Sequence, residues 1–406
     1  MNSAGKSRIA VFTKYQDFRQ KLVELVKSIN AVEALLLSVG VLLALLLRYT
    51  LRGIQTSDFD YFFNDWYSKI QAGGIKSIGE NISNYPPVYL YLLYLVSVIF
   101  PTIWKSTAVK IPSVVADLIC AWYVFRIVRL KIRKGPAASL AALIFLFAPT
   151  VVLNGAAWGQ IESIYTAALL ACLYYLLRKK NWLACIAFGI AFSIKLQSIY
   201  LAPLLLALWL RKELSFKHLL AIPAVYLVSI LPAWIAGRPI LELLTIYTSQ
   251  VSGYEGLVHN ATSLYTWLPN ADFNTWYVPG LILAGAICLM YIYSILKGRV
   301  ESLAPYLITL ALASLLIVPF FLPKTHDRYF FPAEAVSIIF GFYYPQFFFV
   351  PILINLTSFF IYQPYLFNVD VFPQPILTLA MFVAIIIVLW QMIVQLYPID
   401  HTPEEK

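Results

Sequence analysis

Charge is scarce in this chain. Only 12% of its 406 residues are Asp, Glu, Lys or Arg, while 61% are hydrophobic. An average soluble domain carries about twice that charge, so a water-exposed surface over most of the chain is excluded. Cysteine is also rare. The four thiols, Cys120, Cys172, Cys185 and Cys288, lie inside apolar runs, which excludes a disulfide framework and a zinc-binding spacing. No Gly/Ser/Pro-rich linker, internal repeat or low-complexity tract divides the chain, so no appended soluble domain is expected.

What is present is a succession of apolar runs. VEALLLSVGVLLALLL, AASLAALIFLFAPTVVL and ILTLAMFVAIIIVLWQMIV each approach the roughly 20 residues that cross about 30 Å of hydrocarbon. The chain reads as an all-α polytopic membrane protein, a single helical bundle in a lipid bilayer. A net charge of +10 can signal nucleic acid. Here the basic residues fall in small clusters between apolar runs, as topology signals do, and no nucleic-acid partner is expected. Lys6, Arg8, Lys14, Arg19, Lys21 and Lys27 precede the first span without a small-residue cleavage site after it, which reads as an uncleaved anchor. Residues 7–28 read as a basic amphipathic helix on the cytoplasmic surface, within an N-terminal unit 1–30.

The clusters at the N-terminus, KIRK (131–134), RKK (178–180), RK (211–212) and KGR (298–300) should all face the cytoplasm. That parity holds only if the apolar segment 86–103, entered through Pro86-Pro87, does not cross. The expected spans are then near 31–51, 108–130, 136–153, 160–178, 181–197, 198–211, 217–236, 276–296, 302–323, 330–345, 347–363 and 373–396. This gives about 12 crossings of the bilayer. The run 198–211 is short and should be kinked. The expected organisation is a bundle over 31–396, an outer first loop over 53–107 carrying interfacial helices, and a cytoplasmic tail over 397–406. Both termini are then inside.

With this topology the outer face collects the unusual polar segments. Asp58 and Asp60 open the first loop in SDFDY. In an extended loop, alternate residues share a side, and such a pair can deprotonate a hydroxyl or hold a divalent cation, Mg or Mn. The alternative is a solvated acidic loop. Trp158, Gln160 and Glu162 sit where one helix ends and the next begins. Trp158 can stack on a sugar ring and Gln160 can bond its hydroxyls, or the three form a polar capping turn. Lys195 and Gln197 interrupt an apolar run, and a Lys there needs an anionic partner, of which phosphate is one, unless it snorkels to the interface. His326, Asp327 and Arg328 end a span beside Pro323. Arg offers phosphate a planar fork and His a second donor, against the reading of an ordinary interfacial loop. Tyr85 in SNYPPVYLYLL and Asn260 in VHNATSLY complete the candidate substrate contacts. Arg48 and Arg52, at the outer end of the first span, are either phosphate partners or snorkelling cations. Asp117 lies mid-span with no sequence neighbour to pair with, so it must face the bundle interior or a wet cavity.

Taken together, SDFDY, the YPP segment, AAWGQIESIY, GIAFSIKLQSIY, AGRPI and LPKTHDRYFF resemble the GT-C superfamily of membrane glycosyltransferases. The likeness is to bacterial mannosyltransferases related to GPI mannosyltransferase 2, and runs from about residue 30 to 365. SDFDY alone is also similar to the DxD of the first GPI mannosyltransferase. The resemblance implies a GT-C-like bundle and an inverting transfer of one sugar, mannose foremost, from a polyprenyl-phosphate-linked sugar donor. The acceptor is a hydroxyl of a glycolipid, glycan or protein on the non-cytoplasmic face of a bacterial plasma membrane. Carried over to this chain, Asp58 is the base with Asp60 as helper or metal ligand, the choice between the two staying open. His326 and Arg328 bind the donor phosphate, assisted by Lys195. The chain departs from its relatives in having Asp327 and Glu334 where they vary. Two readings compete with an enzyme. One is a transporter or flippase of a lipid-linked sugar, disfavoured by the lack of inverted repeats and the one-sided polar residues. The other is a non-catalytic assembly subunit, disfavoured by the intact Asp58, Lys195, His326 and Arg328.

Overall fold

The computed structural model describes residues 30–252 and 255–398. The expected amphipathic helix over 7–28 and most of the tail over 397–406 lie outside the described residues. Nearly everything else is helical. The one sheet among the described residues is a two-residue parallel bridge that pairs Val258 with Thr325 and His259 with His326.

Among the described residues seven helices are long and apolar enough to cross a membrane: Ala31–Leu51, Lys105–Lys131, Phe216–Ile235, Phe273–Lys297, Ala304–Phe321, Pro345–Phe367 and Gln374–Leu396. An eighth span is a pair, Ala137–Phe147 with Pro149–Trp158, bent by 52°. Pro149 explains the bend, since it removes a helical donor and forces Ala148 into an extended conformation. The other four expected crossings fall on shorter helices, Glu162–Leu177, Asn181–Ile194, Leu196–Leu210 and Phe331–Tyr343. At about 1.5 Å per residue these reach roughly 20–24 Å, less than the about 30 Å of a hydrocarbon core. Length and apolarity therefore support eight spans and leave the count of about 12 resting on those four. Glu162–Leu177 is buried along nearly its whole length, so protein rather than lipid surrounds it. The kink expected near 198–211 is a turn of 3-10 helix at Leu196–Leu201, followed by α-helix from Ala202.

Two contacts set the first spans antiparallel. Asn30 caps Ala31–Leu51 by accepting the Glu33 N–H at 2.8 Å, and Glu33 in turn takes Arg129 Nη2 at 2.9 Å. At the other end, Lys110 Nζ donates to the carbonyls of Leu51, Arg52 and Ile54 at 3.3, 3.2 and 2.6 Å. The start of Lys105–Lys131 thus lies beside the end of Ala31–Leu51. The segment between them, including helix Pro87–Ile99, leaves and returns at the same end of the bundle.

Arg48 and Asp117 are neither phosphate contacts nor lone charges. Arg48 Nε donates to Asp117 Oδ2 at 2.8 Å, with both side chains buried. Arg48 also donates to the Ala44 and Leu146 carbonyls, and Ser163 donates to Asp117 Oδ1. At membrane depth each charge is supportable only because the other is there. Arg52 stays near the surface, its guanidinium 3.7 Å from the Tyr49 ring centre.

Candidate active site

The segment SDFDY is helical where an extended loop was expected. A π-turn over Phe59–Phe63 runs into helix Asn64–Gly73, anchored by buried Phe59, Phe63, Trp66, Tyr67 and Ile70. In a helix, residues two apart point to different faces. Asp58 therefore turns inward and lines a cavity, while Asp60 is exposed and outside it. The two carboxylates do not converge. Among the described residues no group of three or more His, Cys, Asp or Glu side chains could hold a metal ion. Asp60, exposed and turned away from Asp58, does not fit the expected Mg or Mn site beside it.

Asp58 is held from three sides. Its Oδ2 accepts the Trp158 indole N–H at 2.8 Å and a Gln160 Nε2 hydrogen. Its backbone N–H donates to Tyr365 Oη at 3.0 Å, and Tyr365 stacks on Trp158 with ring centres 4.5 Å apart. These contacts follow from local chain geometry. A π-turn over Leu153–Trp158 ends at Gly159 in the left-handed region, φ 82°, which an L-residue adopts only with strain. That reversal turns Trp158 and Gln160 toward Asp58. Trp158 is 1% exposed, so it positions the carboxylate and offers no face to a sugar. Gln160 is equally buried and also lies 3.5 Å from the Tyr85 hydroxyl.

The cations form a second group across the cavity. Lys195 stands in extended conformation at the break after Asn181–Ile194 and pairs with Glu162, the first residue of Glu162–Leu177. Arg328 Nε approaches the same Glu162 oxygen at 3.4 Å, and Arg328 Nη1 meets Asp327 Oδ1 at 3.2 Å. Glu162 is 1% exposed and does not line the cavity. It was expected to touch substrate, but it acts as the buried counter-charge that lets two cations sit together. The Arg328 guanidinium also lies 5.1 Å from the Trp158 ring, tying the basic group to the residue that orients Asp58. Asp327, unexplained in the sequence, is a partner of Arg328.

His326 stacks on His259, ring centres 4.6 Å apart and planes within 17°. The parallel bridge sets this pairing. Burial, then the charges of Arg328, His259 and Lys195, push His326 down to about 2, so it faces a ligand as neutral imidazole. Burial, opposed by Arg328, pushes Asp327 up to about 7. Burial pulls Arg328 down, but Asp327 and Glu162 together hold it well above its usual range, and it stays charged.

The cavity between these groups has a volume of about 300 Å³ and is lined by Asp58, Tyr85, Lys195, Gln197, Lys324, His326 and Arg328. Its apolar wall is Tyr277, Leu281, Leu322 and Pro323. Leu281 belongs to Phe273–Lys297, whose Val278 and Ile282 are exposed to the surroundings of the bundle. Helix Pro87–Ile99 contributes none of this lining, and only the preceding Asn84 and Tyr85 take part. The reason is packing: Tyr89, Leu90 and Leu93 are buried in the core. Asn260 also falls outside the cavity, donating to the Ile361 carbonyl at 2.9 Å and accepting from Gln374. It is a strut between loop and helices. Sequence reasoning missed His259 and Tyr365. Of the two, only His259 carried a signal, as a rare His in one of the polar outer segments.

Residues 84–235 match the model of the dolichyl-phosphate-mannose-protein mannosyltransferase family. No curated protein matches the chain. Among solved structures, the chain is similar to ArnT from Cupriavidus metallidurans, a crystal structure bound to undecaprenyl phosphate. The identity is 10%, the TM-score 0.54, and the match covers 88% of this chain and 77% of that one. At that identity the likeness is one of fold, and it is the GT-C-like helical bundle that the sequence motifs had indicated. The family match spans the stretch that holds Tyr85, Trp158, Gln160, Glu162 and Lys195.

Proposed function

We propose that this chain is an integral-membrane inverting glycosyltransferase. It moves one sugar, mannose, from a polyprenyl-phosphate-linked donor to a hydroxyl acceptor on the non-cytoplasmic face of a bacterial plasma membrane. The observation that carries this reading is one cavity with an oriented carboxylate, Asp58, on one side and the Lys195–Glu162–Arg328 group with His326 on the other. The family match over 84–235 and the fold shared with an undecaprenyl-phosphate-bound structure support it.

Each part has a task in a single displacement. Trp158 and Gln160 occupy Asp58 Oδ2, leaving Oδ1 to take the acceptor's hydroxyl proton. The hydroxyl oxygen bonds to the sugar C1 as the bond from C1 to the phosphate oxygen breaks, and that electron pair leaves on the phosphate. Arg328 and Lys195 meet the charge that develops there, with His326 able to add an N–H. The apolar wall at Leu281 leads the polyprenyl chain toward the lipid.

The test is transfer of radiolabel from polyprenyl-phosphate mannose by the purified chain in lipid nanodiscs, with glycolipid, glycan and peptide acceptors compared. Label should move to an acceptor with the wild type and not with Asp58→Asn. Equal transfer by that variant, or none by the wild type, would overturn the reading.

A further inference from the structure

A second cavity of about 510 Å³ adjoins the first, with Phe62, Trp66, Asn84 and Gln250 lining both. Its chemistry differs. Apart from the shared aromatic wall, its polar lining includes Asn81, Ser83, Thr245, Ser249 and the pair Arg238–Glu242. Arg238 belongs to the AGRPI segment, which the first cavity leaves without a role. Its side chain is 2% exposed, and Nη2 donates to Asn81 Oδ1 at 2.7 Å. Nε faces Glu242 Oε2 at 3.7 Å, beyond a hydrogen bond, and Nη1 has no hydrogen-bond partner. A buried guanidinium with unmet donors is costly; Nε and Nη1 lie behind the cavity surface, and Nη2 fixes Asn81 at its wall.

We infer that this second cavity is the acceptor site of the transfer proposed above, and that it takes a carbohydrate. The inference rests on that reading for the reaction, though not for the binding. Sugar hydroxyls can pair with the amides of Asn81 and Asn84, which both give and accept hydrogen bonds, and with the Thr245 hydroxyl as an acceptor, its hydrogen being taken by the Leu241 carbonyl. The 38%-exposed Phe62 ring offers an apolar face to the C–H side of a pyranose. A phosphate would find one buried cation faced by Glu242, where the first cavity offers two at Lys195 and Arg328. An alkyl chain would leave the amide groups unmet. The shared wall at Phe62 and Trp66 runs into the π-turn that begins at Asp58, so a sugar in the second cavity can present a hydroxyl beside the carboxylate.

The test uses octyl glycosides of mannose, glucose and galactose as probes, with decanol and a Ser-containing peptide as controls. Binding of radiolabelled probe to the full chain in nanodiscs is measured without donor, and transfer is measured with donor. Saturable binding of at least one glycoside is expected, weakened at least tenfold by Asn81→Ala and by Thr245→Trp. The second variant fills the cavity from a helix surface, where the Thr245 hydroxyl only bonds its own helix at Leu241. Asp58→Asn should bind the glycoside normally while failing to transfer. Absence of glycoside binding, binding unmoved by both cavity variants, or preference for the peptide would each overturn the carbohydrate site. Glycoside binding without transfer by the wild type would uphold the site and sink the proposed reaction.

Discussion

Trp158 donates its indole hydrogen to Asp58 Oδ2 at 2.8 Å, joining two residues far apart in sequence at one oxygen. If Asp58 is the base, its two donors hold it in place and Asp60 does nothing in the step. Initial rates should therefore separate three variants. Asp58→Asn should fall by about 10²–10⁴-fold, the range of general-base catalysis. Trp158→Phe should lower kcat by about tenfold, equivalent to about 1.4 kcal/mol, with the donor KM little changed. Asp60→Asn should stay near wild type. An inactive Asp60→Asn beside an active Asp58→Asn would exchange their roles.

Glu162 holds Lys195 and Arg328 together, so removing its charge strands the buried Lys195 beside an Arg328 that keeps only Asp327. Breaking a buried pair costs about 3–5 kcal/mol. Glu162→Gln should lower the unfolding temperature in nanodiscs. A phosphate placed between the cations would replace the lost charge, and a ligand that binds only the folded state stabilises it. Polyprenyl phosphate should thus raise the unfolding temperature more in Glu162→Gln than in the wild type. An equal rise in both would detach the cation pair from phosphate binding.

The loop over 322–330 predicts a specific pH response. Asp327 is raised from 3.8 to about 7, so the folded chain keeps a proton that the unfolded chain has lost. Its contribution favours folding at low pH and fades as pH rises through about 7. His326 is lowered from 6.5 to about 2, so the unfolded chain binds a proton that the folded chain refuses. Its contribution is present above 6.5 and is lost as pH falls toward about 2. Over the shared window, from 3.8 to 6.5, the two slopes oppose each other. Asp327→Asn leaves only the His326 slope, so unfolding temperature should climb with pH across that window more steeply than in the wild type. Parallel profiles would remove one of the two groups from the account.

The bundle, the one-ended collection of polar segments and the approach of Asp58, Lys195, His326 and Arg328 were legible because hydrophobic runs and misplaced charges are local signals. The partners of those charges were not, because pairing is a property of helix packing. Nothing local shows that Lys195 meets Glu162, or that Arg48 meets Asp117. Trp158 was misassigned because a π-turn and a left-handed Gly159 decide which way it points. Asp60 was overvalued because an acidic, aromatic stretch does not announce itself as a helix. In fact the burial of Phe59 and Phe63 on one side of that turn sets its exposure. The Asn260 strut depends on Gln374, from a helix much later in the chain.

Arg48 and Asp117 offer a test of structure separate from chemistry. Their ion pair at 2.8 Å is buried in the span region, and Ser163 fills the second carboxylate oxygen. Either single truncation, Arg48→Met or Asp117→Leu, strands a charge where solvation is poor, at a cost of about 3–5 kcal/mol. Removing both charges together strands nothing, and apolar replacement of a whole buried pair is often neutral or stabilising. The double variant should therefore unfold near the wild-type temperature while each single variant unfolds well below it. Donor and acceptor KM should be unchanged in the double variant, since neither residue lines a cavity of the site. Additive losses in stability would mean the two charges do not depend on each other. A raised donor KM in the double variant would return Arg48 to the phosphate contacts first considered for it.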